Sequence, residues 1–351
     1  MADKKVRVLV VDDSAVVRRL VGDALAEEPD IEVVATAANG KLALQRLDRM
    51  DCDLVTLDVE MPELDGLQTL VQLRKKYPKL PVIMFSSQTS RAAEATIDAL
   101  SLGANDYVTK PEGGLVQMRR CIELDLIPKI KALCMRRITL VMPIERPESN
   151  ARVTAVAIGV STGGPQALQT VLAKIVAPFA APIFIVQHMP ATFTSMLAAR
   201  LAATSPLPVH EVLAPTRAEP GHIYLARGDH HLVVERGMLR THQEAPECSC
   251  RPSVDVMFRS VAATYGTGAL GVVMTGMGND GTRGAEAIRA RGGTVIVQDQ
   301  ASSVVWGMPG AVVRAGHAQA LVPLDGLAEE IQRRVRARLA LGSERLDRIA
   351  R

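Results

Sequence analysis

The sequence has few aromatic residues, few cysteines and no long apolar segment. Aromatic residues make up 3% of the 351 residues, so the core has to be built mainly from aliphatic side chains. The longest apolar stretch, 175–186, contains two prolines and is too short to span a bilayer. Five cysteines, an odd number without a Cys-x-x-Cys pair, are typical of a reduced intracellular protein. These features exclude a disulfide-rich secreted domain and predict a cytoplasmic protein without membrane insertion.

The charge of the chain is nearly balanced. Lysine and arginine total 41 against 38 acidic residues, a formal net charge of +3, which is far below the charge density of a nucleic-acid binder. After Lys131 the only lysine is Lys174, and the polar, proline-containing segment 146–150 lacks periodicity, as linkers do. We therefore expect no nucleic-acid partner. We also expect the protein to be monomeric. The predicted parts are a first domain over 1–132, a linker over 133–151, a second domain over 152–340 and a basic tail over 341–351.

In the first half, short β-branched runs alternate with segments of helical spacing. The spacing predicts helices over 14–27 and 64–77, among others. Apolar strands that alternate with amphipathic helices predict an α/β domain with a doubly wound parallel sheet. The strand-like runs are VRVLVV (6–11), IEVVAT (31–36), DLVTL (53–57), LPVIMF (80–85) and NDYVT (105–109).

Polar residues follow several of these predicted strands. Asp12 and Asp13 follow the first strand, Asp58 the third, Ser86 the fourth and Lys110 the fifth. The carboxyl ends of parallel strands meet at one edge of the sheet, where three carboxylates would repel each other unless a cation lay among them. Oxygen-only ligands favour Mg²⁺, while a lysine and a hydroxyl suit a phosphoryl group. An aspartate after one strand is commonly a cap or turn residue, but the set together predicts an aspartate that accepts a phosphoryl group.

The motifs VVDDS, TLDVEMPELDG, FSSQTS and YVTKP resemble the receiver domain of two-component response regulators, over residues 4 to about 130. The resemblance implies a flavodoxin-like fold and a histidine kinase of the chemotaxis system as phosphodonor. It also implies that Asp58 is the phosphorylated residue. The same resemblance implies that Mg²⁺ is held by Asp12, Asp13, Asp58 and the backbone carbonyl of Glu60.

The resemblance further assigns roles to residues on the last two strands. It implies that Ser86 and Tyr107 move on phosphorylation and that Lys110 contacts the phosphoryl oxygens. It also implies that the Lys110–Pro111 peptide bond is cis, which proline permits at small cost. Together these residues would report the state of the aspartate.

In the second half, an apolar run over 153–159 ends in the glycine-rich sequence GVSTGGP, followed by a helical segment from Gln166. Gly-x-Ser-x-Gly between a strand and a helix is the nucleophile-elbow pattern, in which the glycines let the backbone turn sharply and expose the Ser161 hydroxyl. A phosphate cradle at a helix N-terminus stays open on this motif alone. A dinucleotide site would need a carboxylate about 20 residues further on, and no acidic residue lies between Glu148 and Glu211.

A serine nucleophile needs a base, and the base needs an orienting acid. His188 follows the apolar run 182–187, and Asp280 follows the run 269–275, so both are expected at the same sheet edge as Ser161. Asp280 also suits a cap or turn before the helix predicted over 282–291. The remaining histidines compete for the role of base: His230 and His231 lie on a predicted hairpin, and His210, His222, His242 and His317 lie in loop-like sequence.

The motifs GVSTGGP, VQHMP, RPSVDVMFRSVA, VVMTGMGNDG and SSVVWGMPGAV are similar to those of the catalytic domain of chemotaxis protein-glutamate methylesterases, from about 153 to 335. The resemblance implies a Rossmann-like serine-hydrolase domain. Its substrates would be methylated glutamates on the cytoplasmic domains of chemoreceptors, and receptor glutamines would be deamidated by the same chemistry.

The resemblance also implies the catalytic roles. Ser161 would attack the γ-glutamyl ester, His188 would act as base and then as acid, and Asp280 would orient His188. Backbone N–H groups of Met277 and Thr162 would hold the oxyanion, and no cofactor would be needed for this step.

Two other functions stay open from the sequence. The second half could bind receptors or signalling partners without catalysis, or it could hydrolyse small esters. The spacing Cys248-x-Cys250 near His242 lacks a second ligand pair, so it does not predict a zinc site.

Overall fold

The structure is a computed structural model that describes residues 5–87, 89–134 and 152–336. The chain divides into two compact units near residue 140. The predicted tail and all but the first two residues of the predicted linker lie outside the described residues. The bounds of the linker and the start of the tail therefore stay predictions. Among the helices of the described ranges, none combines the length and the apolar character needed to cross a bilayer.

The N-terminal unit contains a five-stranded sheet in which every neighbouring pair is parallel. Its strands are β1 (Val6–Val11), β2 (Ile31–Ala37), β3 (Leu54–Asp58), β4 (Val82–Ser86) and β5 (Asp106–Thr109). Their order across the sheet is β2-β1-β3-β4-β5, which is the flavodoxin-like order. Because β3 and β4 are buried along their whole length, the sheet is covered on both faces, as the apolar runs predict.

Helices connect these strands, and their first residues follow capping rules. The Ser14 side chain accepts a hydrogen bond from the Val17 N–H at the start of α1, and Asp65 and Gln68 form a capping box at the start of α3. These caps explain why both predicted helices begin close to where spacing places them. The helices are α1 (Ala15–Ala26), α2 (Gly40–Leu47), α3 (Gly66–Lys76), α4 (Ser90–Ser101), α5 (Leu115–Cys121), a π-helical turn (Ile122–Leu126) and α6 (Ile127–Cys134).

The expectation of a cis bond at Lys110–Pro111 is wrong. The cis bonds of the described residues are Ala177–Pro178 and Arg251–Pro252. The Lys110 N–H donates to the Ser86 carbonyl at 2.7 Å, which extends the pairing of β4 and β5 by one residue. This pairing holds Lys110 at the sheet edge.

The C-terminal unit contains a larger sheet of seven parallel strands. The strands of the unit are β6 (Ala155–Val160), β7 (Ile183–Gln187), β8 (Val209–Val212), β9 (Thr216–Arg217), β10 (Ile223–Ala226), β11 (His231–Glu235), β12 (Met238–His242), β13 (Ala269–Val273), β14 (Thr294–Gln298) and β15 (Ala320–Val322). The order in the large sheet is β15-β14-β13-β6-β7-β10-β8. After β6 the chain adds β7, β8 and β10 on one side of β6 and then β13, β14 and β15 on the other side. The topological switch point therefore lies between β6 and β13.

The doubly wound parallel sheet predicted for this unit is confirmed, with one addition. Strands β11, β12 and β9 form a small antiparallel sheet, of which the sequence indicated only the hairpin near His231. His210 lies in β8 and His242 ends β12, so their placement in loops is wrong. Short strands that are partly exposed lack the long apolar run by which the other strands are recognised.

Helices cover both faces of the large sheet. Phe184 on β7 and Phe258 are among the largest fully buried side chains of a core made mostly of Val, Ile, Leu and Ala. This aliphatic core is the one that the scarcity of aromatic residues predicts. The helices are α7 (Gly164–Leu172), α8 (Ala191–Thr204), α9 (Val254–Tyr265), a 3₁₀ turn (Gly266–Gly268), α10 (Thr282–Ala290), α11 (Met308–Arg314) and α12 (Leu324–Arg336).

Candidate active site and carboxylate cluster

Carboxylates and one lysine gather at the carboxyl edge of the N-terminal sheet, as the strand ends predict. The Lys110 Nζ lies 2.7 Å from Asp12 Oδ2 and 2.8 Å from Asp58 Oδ2. Oxygens of Asp12, Asp13 and Asp58 all lie within 4.8 Å of one another. We call these four residues the carboxylate cluster.

Burial and neighbouring charges shift the pKa values of Asp58 and Lys110 in the cluster. Burial raises the pKa of Asp58; Lys110 lowers it and Asp12 raises it, and the net result is a pKa of about 6. Burial alone would lower the pKa of Lys110, but Asp58 and Asp12 outweigh it and raise that pKa. Three carboxylates against one ammonium leave an excess of negative charge. An all-oxygen donor set with this excess fits Mg²⁺.

The other predicted residues of this unit lie around the cluster. Glu60 lines a cavity of about 550 Å³ together with Asp13 and Arg91. Ser86 is fully buried at the end of β4, and its Oγ donates to the carbonyl of Ala92 at 3.3 Å. Tyr107 is also buried, and burial raises the pKa of its hydroxyl well above the ordinary value. Both switch candidates therefore have packed side chains, so any movement would need neighbouring groups to move as well.

In the C-terminal unit, the three predicted triad residues follow three neighbouring strands. The Ser161 N–H donates to the Thr275 carbonyl at 3.0 Å just beyond β6, and the His188 N–H donates to the Val160 carbonyl at 3.3 Å just beyond β7. Asp280 lies in the loop after β13. The structure brings His188 and Asp280 together, with Nε2 of the imidazole 2.8 Å from Oδ2 of the carboxylate. Among the described residues, no hydrogen bond joins Ser161 Oγ to His188.

Two glycines shape the backbone around Ser161. Gly163, which precedes α7, has a φ of +76°, a backbone conformation that side chains rarely adopt. A Cβ at Gly276 would lie 2.9 Å from the Cβ of Ser161, closer than side chains can pack. The glycine-rich segments GVSTGG and TGMGNDG follow neighbouring strands. A glycine from each of them therefore contributes to the turn at Ser161.

Asp280 is a buried carboxylate whose oxygens receive five hydrogen bonds. One of its oxygens, Oδ1, accepts from Ser253 Oγ, Asp255 N and Gly281 N, each at 2.9 Å. The other, Oδ2, accepts from Val254 N at 2.7 Å in addition to His188. Three of these donors, Ser253, Val254 and Asp255, belong to the N-terminus of α9, where backbone N–H groups lack helical partners and favour negative charge.

These contacts shift the pKa of both members of the pair. Burial would raise the pKa of Asp280, but His188 and the backbone N–H groups outweigh burial and lower it. Burial would lower the pKa of His188, but the hydrogen bond to Asp280 and the neighbouring Cys250 raise it by more, to about 9. Because Nε2 faces Asp280, Nδ1 is the nitrogen left for chemistry. It lies 3.6 Å from Cys250 Sγ.

The sequence interpretation missed several residues that shape this site. Gln187 Nε2 donates to the Ser161 carbonyl at 3.1 Å, and Thr275 Oγ1 donates to the Thr162 carbonyl at 2.9 Å. Ser253 and Cys250 approach Asp280 and His188 from the segment before α9. Ser253 lies within the family motif RPSVDV, which was the one signal that could have pointed to it. Cys250 carries no such signal, because it lies just outside that motif.

The predicted oxyanion groups and the competing histidines are also placed. Within the described ranges, the N–H groups of Thr162 and Met277 donate to no protein acceptor. The other histidines make contacts of their own: His210 pairs with His222 at 3.0 Å, and His231 contacts Ala245 and Ser253. The geometry thus leaves His188 as the histidine that is paired with a buried carboxylate.

The first unit has the fold and the carboxylate cluster of a receiver domain, and the second has the parallel sheet, glycine-flanked serine and His–Asp pair of an α/β serine hydrolase. The family model described as "Response regulator receiver domain" matches residues 8–120, and that described as "CheB methylesterase" matches residues 156–331. The chain therefore belongs to the CheB methylesterase family and carries an N-terminal receiver domain.

Relatives match along nearly the whole chain. The chain is 49% identical over 349 residues to the protein-glutamate methylesterase/protein-glutamine glutaminase of Trichodesmium erythraeum, covering 94% of this chain and 99% of that one. It is 46% identical over 352 residues to the protein of the same name from a Nocardioides species, covering 94% and 95%. Among solved structures, the Thermotoga maritima CheB methylesterase catalytic domain is 38% identical, with a TM-score of 0.49, and the match covers 51% of this chain and 97% of that one.

Proposed function

We propose that this chain is a phosphorylation-regulated protein-glutamate methylesterase that acts on the cytoplasmic domains of chemoreceptors and also deamidates receptor glutamines. The relatives that bear this name match both units together, which supports one enzyme with a regulatory and a catalytic part. The observation that carries the proposal is the 2.8 Å contact of His188 with the buried Asp280, because His188 and Ser161 follow neighbouring strands. We assign residues 1–132 to the receiver domain and residues 152–340 to the catalytic domain.

In the proposed reaction, Ser161 Oγ attacks the carbonyl carbon of the γ-glutamyl methyl ester. His188 takes the hydroxyl proton on Nδ1, because Nε2 is held by Asp280, and Asp280 stabilises the imidazolium that forms. The N–H groups of Met277 and Thr162 donate to the oxyanion of the tetrahedral intermediate, which fits their lack of protein acceptors within the described ranges.

Collapse of the intermediate breaks the bond to the methoxy oxygen, and His188 returns its proton to the departing methanol. Water then attacks the glutamyl ester of Ser161, with His188 again as base, and the receptor is released with a free carboxylate on its glutamate side chain. With a glutamine substrate, ammonia leaves in place of methanol. The hydrogen bond between Ser161 and His188 forms with substrate bound, since catalytic contacts are often long in the free enzyme.

For the receiver domain, we propose Asp58 as the phosphorylated residue and a chemotaxis histidine kinase as donor, in the cytoplasm. Asp12, Asp13 and Asp58 would hold Mg²⁺ together with the backbone carbonyl of Glu60. When bound, Mg²⁺ supplies positive charge that offsets the oxygens of the transferring phosphoryl group.

The remaining receiver residues act through contacts of their own. Lys110, which already contacts Asp58 at 2.8 Å, would pair with a phosphoryl oxygen. Ser86 and Tyr107 would move in response. Because both side chains are buried, we expect their movement to alter the packing around β4 and β5.

The nucleophile is tested with Ser161→Ala in the full chain. Loss of the serine should lower methanol release from methylated receptor by several orders of magnitude, as removal of a triad member does. A fluorophosphonate probe should label the parent and leave the variant unlabelled. Equal methanol release by the variant would reject the assignment. An unlabelled parent that binds receptor without releasing methanol would favour a binding module, and activity on small esters alone would favour a different hydrolase.

A further inference from the structure

Cys250 faces the nitrogen of His188 that the proposed mechanism uses. Its Sγ lies 3.6 Å from His188 Nδ1, whereas Asp280 contacts the other ring nitrogen, Nε2. Cys250 is partly exposed, and the His188 side chain is 12% exposed, so a small solute can reach both. Nothing in the esterase chemistry requires a thiol at this point.

The thiol is held in place by its backbone. Glu247 and Cys250 exchange two backbone hydrogen bonds, of 3.1 and 2.8 Å, across a tight turn. The two residues between them, Cys248 and Ser249, have φ values of +50° and +61°, as a type I′ turn requires. A turn closed on both sides keeps the Cys250 backbone fixed relative to Glu247.

The distance between sulfur and nitrogen suits two ligands of one metal ion. Zinc bonds last about 2.3 Å to cysteine sulfur and about 2.0 to 2.1 Å to histidine nitrogen. At a tetrahedral angle, two such bonds place sulfur and nitrogen about 3.6 Å apart, which is the separation observed here.

The second nitrogen of His188 is also arranged as in metal sites. Metal-binding histidines usually donate their other N–H to a carboxylate, which fixes the tautomer and makes the imidazole a better ligand. Asp280 accepts in this way from Nε2 and is itself held by four other donors, Ser253 among them. Sulfur, imidazole and carboxylate of these three residues lie within 4.8 Å of one another.

We propose that Cys250 Sγ and His188 Nδ1 form a binding site for Zn²⁺ and that zinc bound there inhibits the esterase. The thiol loses its proton on binding, and water fills the remaining positions of the ion. The site differs in kind from the carboxylate cluster, because thiolate and imidazole select zinc whereas carboxylates select Mg²⁺. Inhibition rests on the proposed function, since zinc on Nδ1 occupies the lone pair that takes the proton of Ser161.

The test uses the full chain with millimolar Mg²⁺ in every assay, so that the carboxylate cluster is filled. Binding is followed with Co²⁺ in place of zinc through its thiolate charge-transfer absorption, which needs no activity. Inhibition is followed by methanol release from methylated receptor over a zinc titration, each variant being compared with its own metal-free rate. Cys250→Ser is the test variant, and Cys248→Ser, from the same turn, is the matched control.

We expect the parent and Cys248→Ser to show the absorption and to lose activity as zinc rises. Cys250→Ser should lack the absorption and need at least about 10-fold more zinc for the same inhibition, since loss of a ligand should cost no less than loss of a supporting contact. An unchanged absorption and zinc response in Cys250→Ser would overturn the proposal. An absorption that depends on Cys250 but is not accompanied by inhibition would support the metal site and reject Nδ1 as the base. The experiment therefore distinguishes failure of the metal site from failure of the proposed function.

Discussion

Ser253→Ala removes one hydrogen-bond donor from the Asp280 carboxylate and leaves its other donors in place. Ser253 is fully buried, and its hydroxyl donates to Asp280 Oδ1 at 2.9 Å. The backbone N–H groups of Val254, Asp255 and Gly281 stay available to Asp280 in the variant. A hydrogen bond to a charged group contributes about 1.5 to 3 kcal/mol.

The structure therefore predicts two effects of this change. Local stability of α9 should fall by about 1.5 to 3 kcal/mol at neutral pH, because the helix N-terminus and Asp280 are joined by this contact. Activity should fall less than in Ser161→Ala, because Asp280 keeps most of its donors. If about half of the lost energy is felt in the transition state, kcat/KM falls about 4- to 13-fold.

Ser260→Ala is the matched control. Ser260 also lies on α9, where its hydroxyl donates to the Met257 carbonyl at 2.7 Å and accepts from Val234 N at 3.0 Å, with no contact to Asp280. Hydrogen exchange of α9 amides measures stability, and initial methanol release measures activity. Stability should fall in both variants and activity in Ser253→Ala alone. Equal kcat/KM in the two variants would refute a role for Ser253 in positioning Asp280.

Three further predictions concern ionisation and regulation. Asp58→Asn should abolish phosphorylation by a small phosphodonor, checked by intact mass. Because the Asp58 pKa is raised from 3.8 to about 6, the charged form of Asp58 destabilises the fold by about 3 kcal/mol above pH 6. Without Mg²⁺, the receiver amides of the variant should therefore exchange more slowly than those of the parent at neutral pH, with no difference below pH 4. His188 has a raised pKa of about 9 and must be neutral to act as base. After subtraction of the rate of Ser161→Ala, kcat/KM should therefore rise with pH up to about 9. Cys250→Ala should shift this rise to lower pH, and a kcat/KM that does not change with pH would contradict the prediction. A fragment starting near residue 150 should release methanol faster than the unphosphorylated full chain, and phosphodonor should accelerate the full chain alone; a slower fragment would favour direct activation.

Much of the fold and most of the site follow from where apolar runs end. Parallel strands bring their carboxyl ends to one edge, so Asp12, Asp58 and Lys110 could be grouped without knowing the connections between them. The same rule placed Ser161 and His188 at one edge of the second sheet. Such predictions succeed because the two-faced burial of a parallel strand leaves a continuous apolar run in the sequence.

Other parts of the site have no comparable signal. The segment before α9 reaches Asp280 and His188 through a turn, and turns carry no periodicity that would reveal which residues they bring together. The sequence therefore does not indicate the proximity of Cys250 to His188, whose side-chain atoms lie 3.6 Å apart. The placement of His210 and His242 in loops is wrong because a partly exposed strand of four or five residues resembles a loop in sequence.

The placement of Asp280 on the end of α9 affects how sequences of this family should be compared. Three of its five donors are backbone N–H groups, which every residue except proline supplies. Substitutions at Val254 can thus leave these donors in place, and covariation would detect only Ser253 and His188 as coupled to the carboxylate. An Asp280→Asn enzyme loses an orienting charge and a helix cap in one step, so its rate overstates what the charge alone contributes to catalysis.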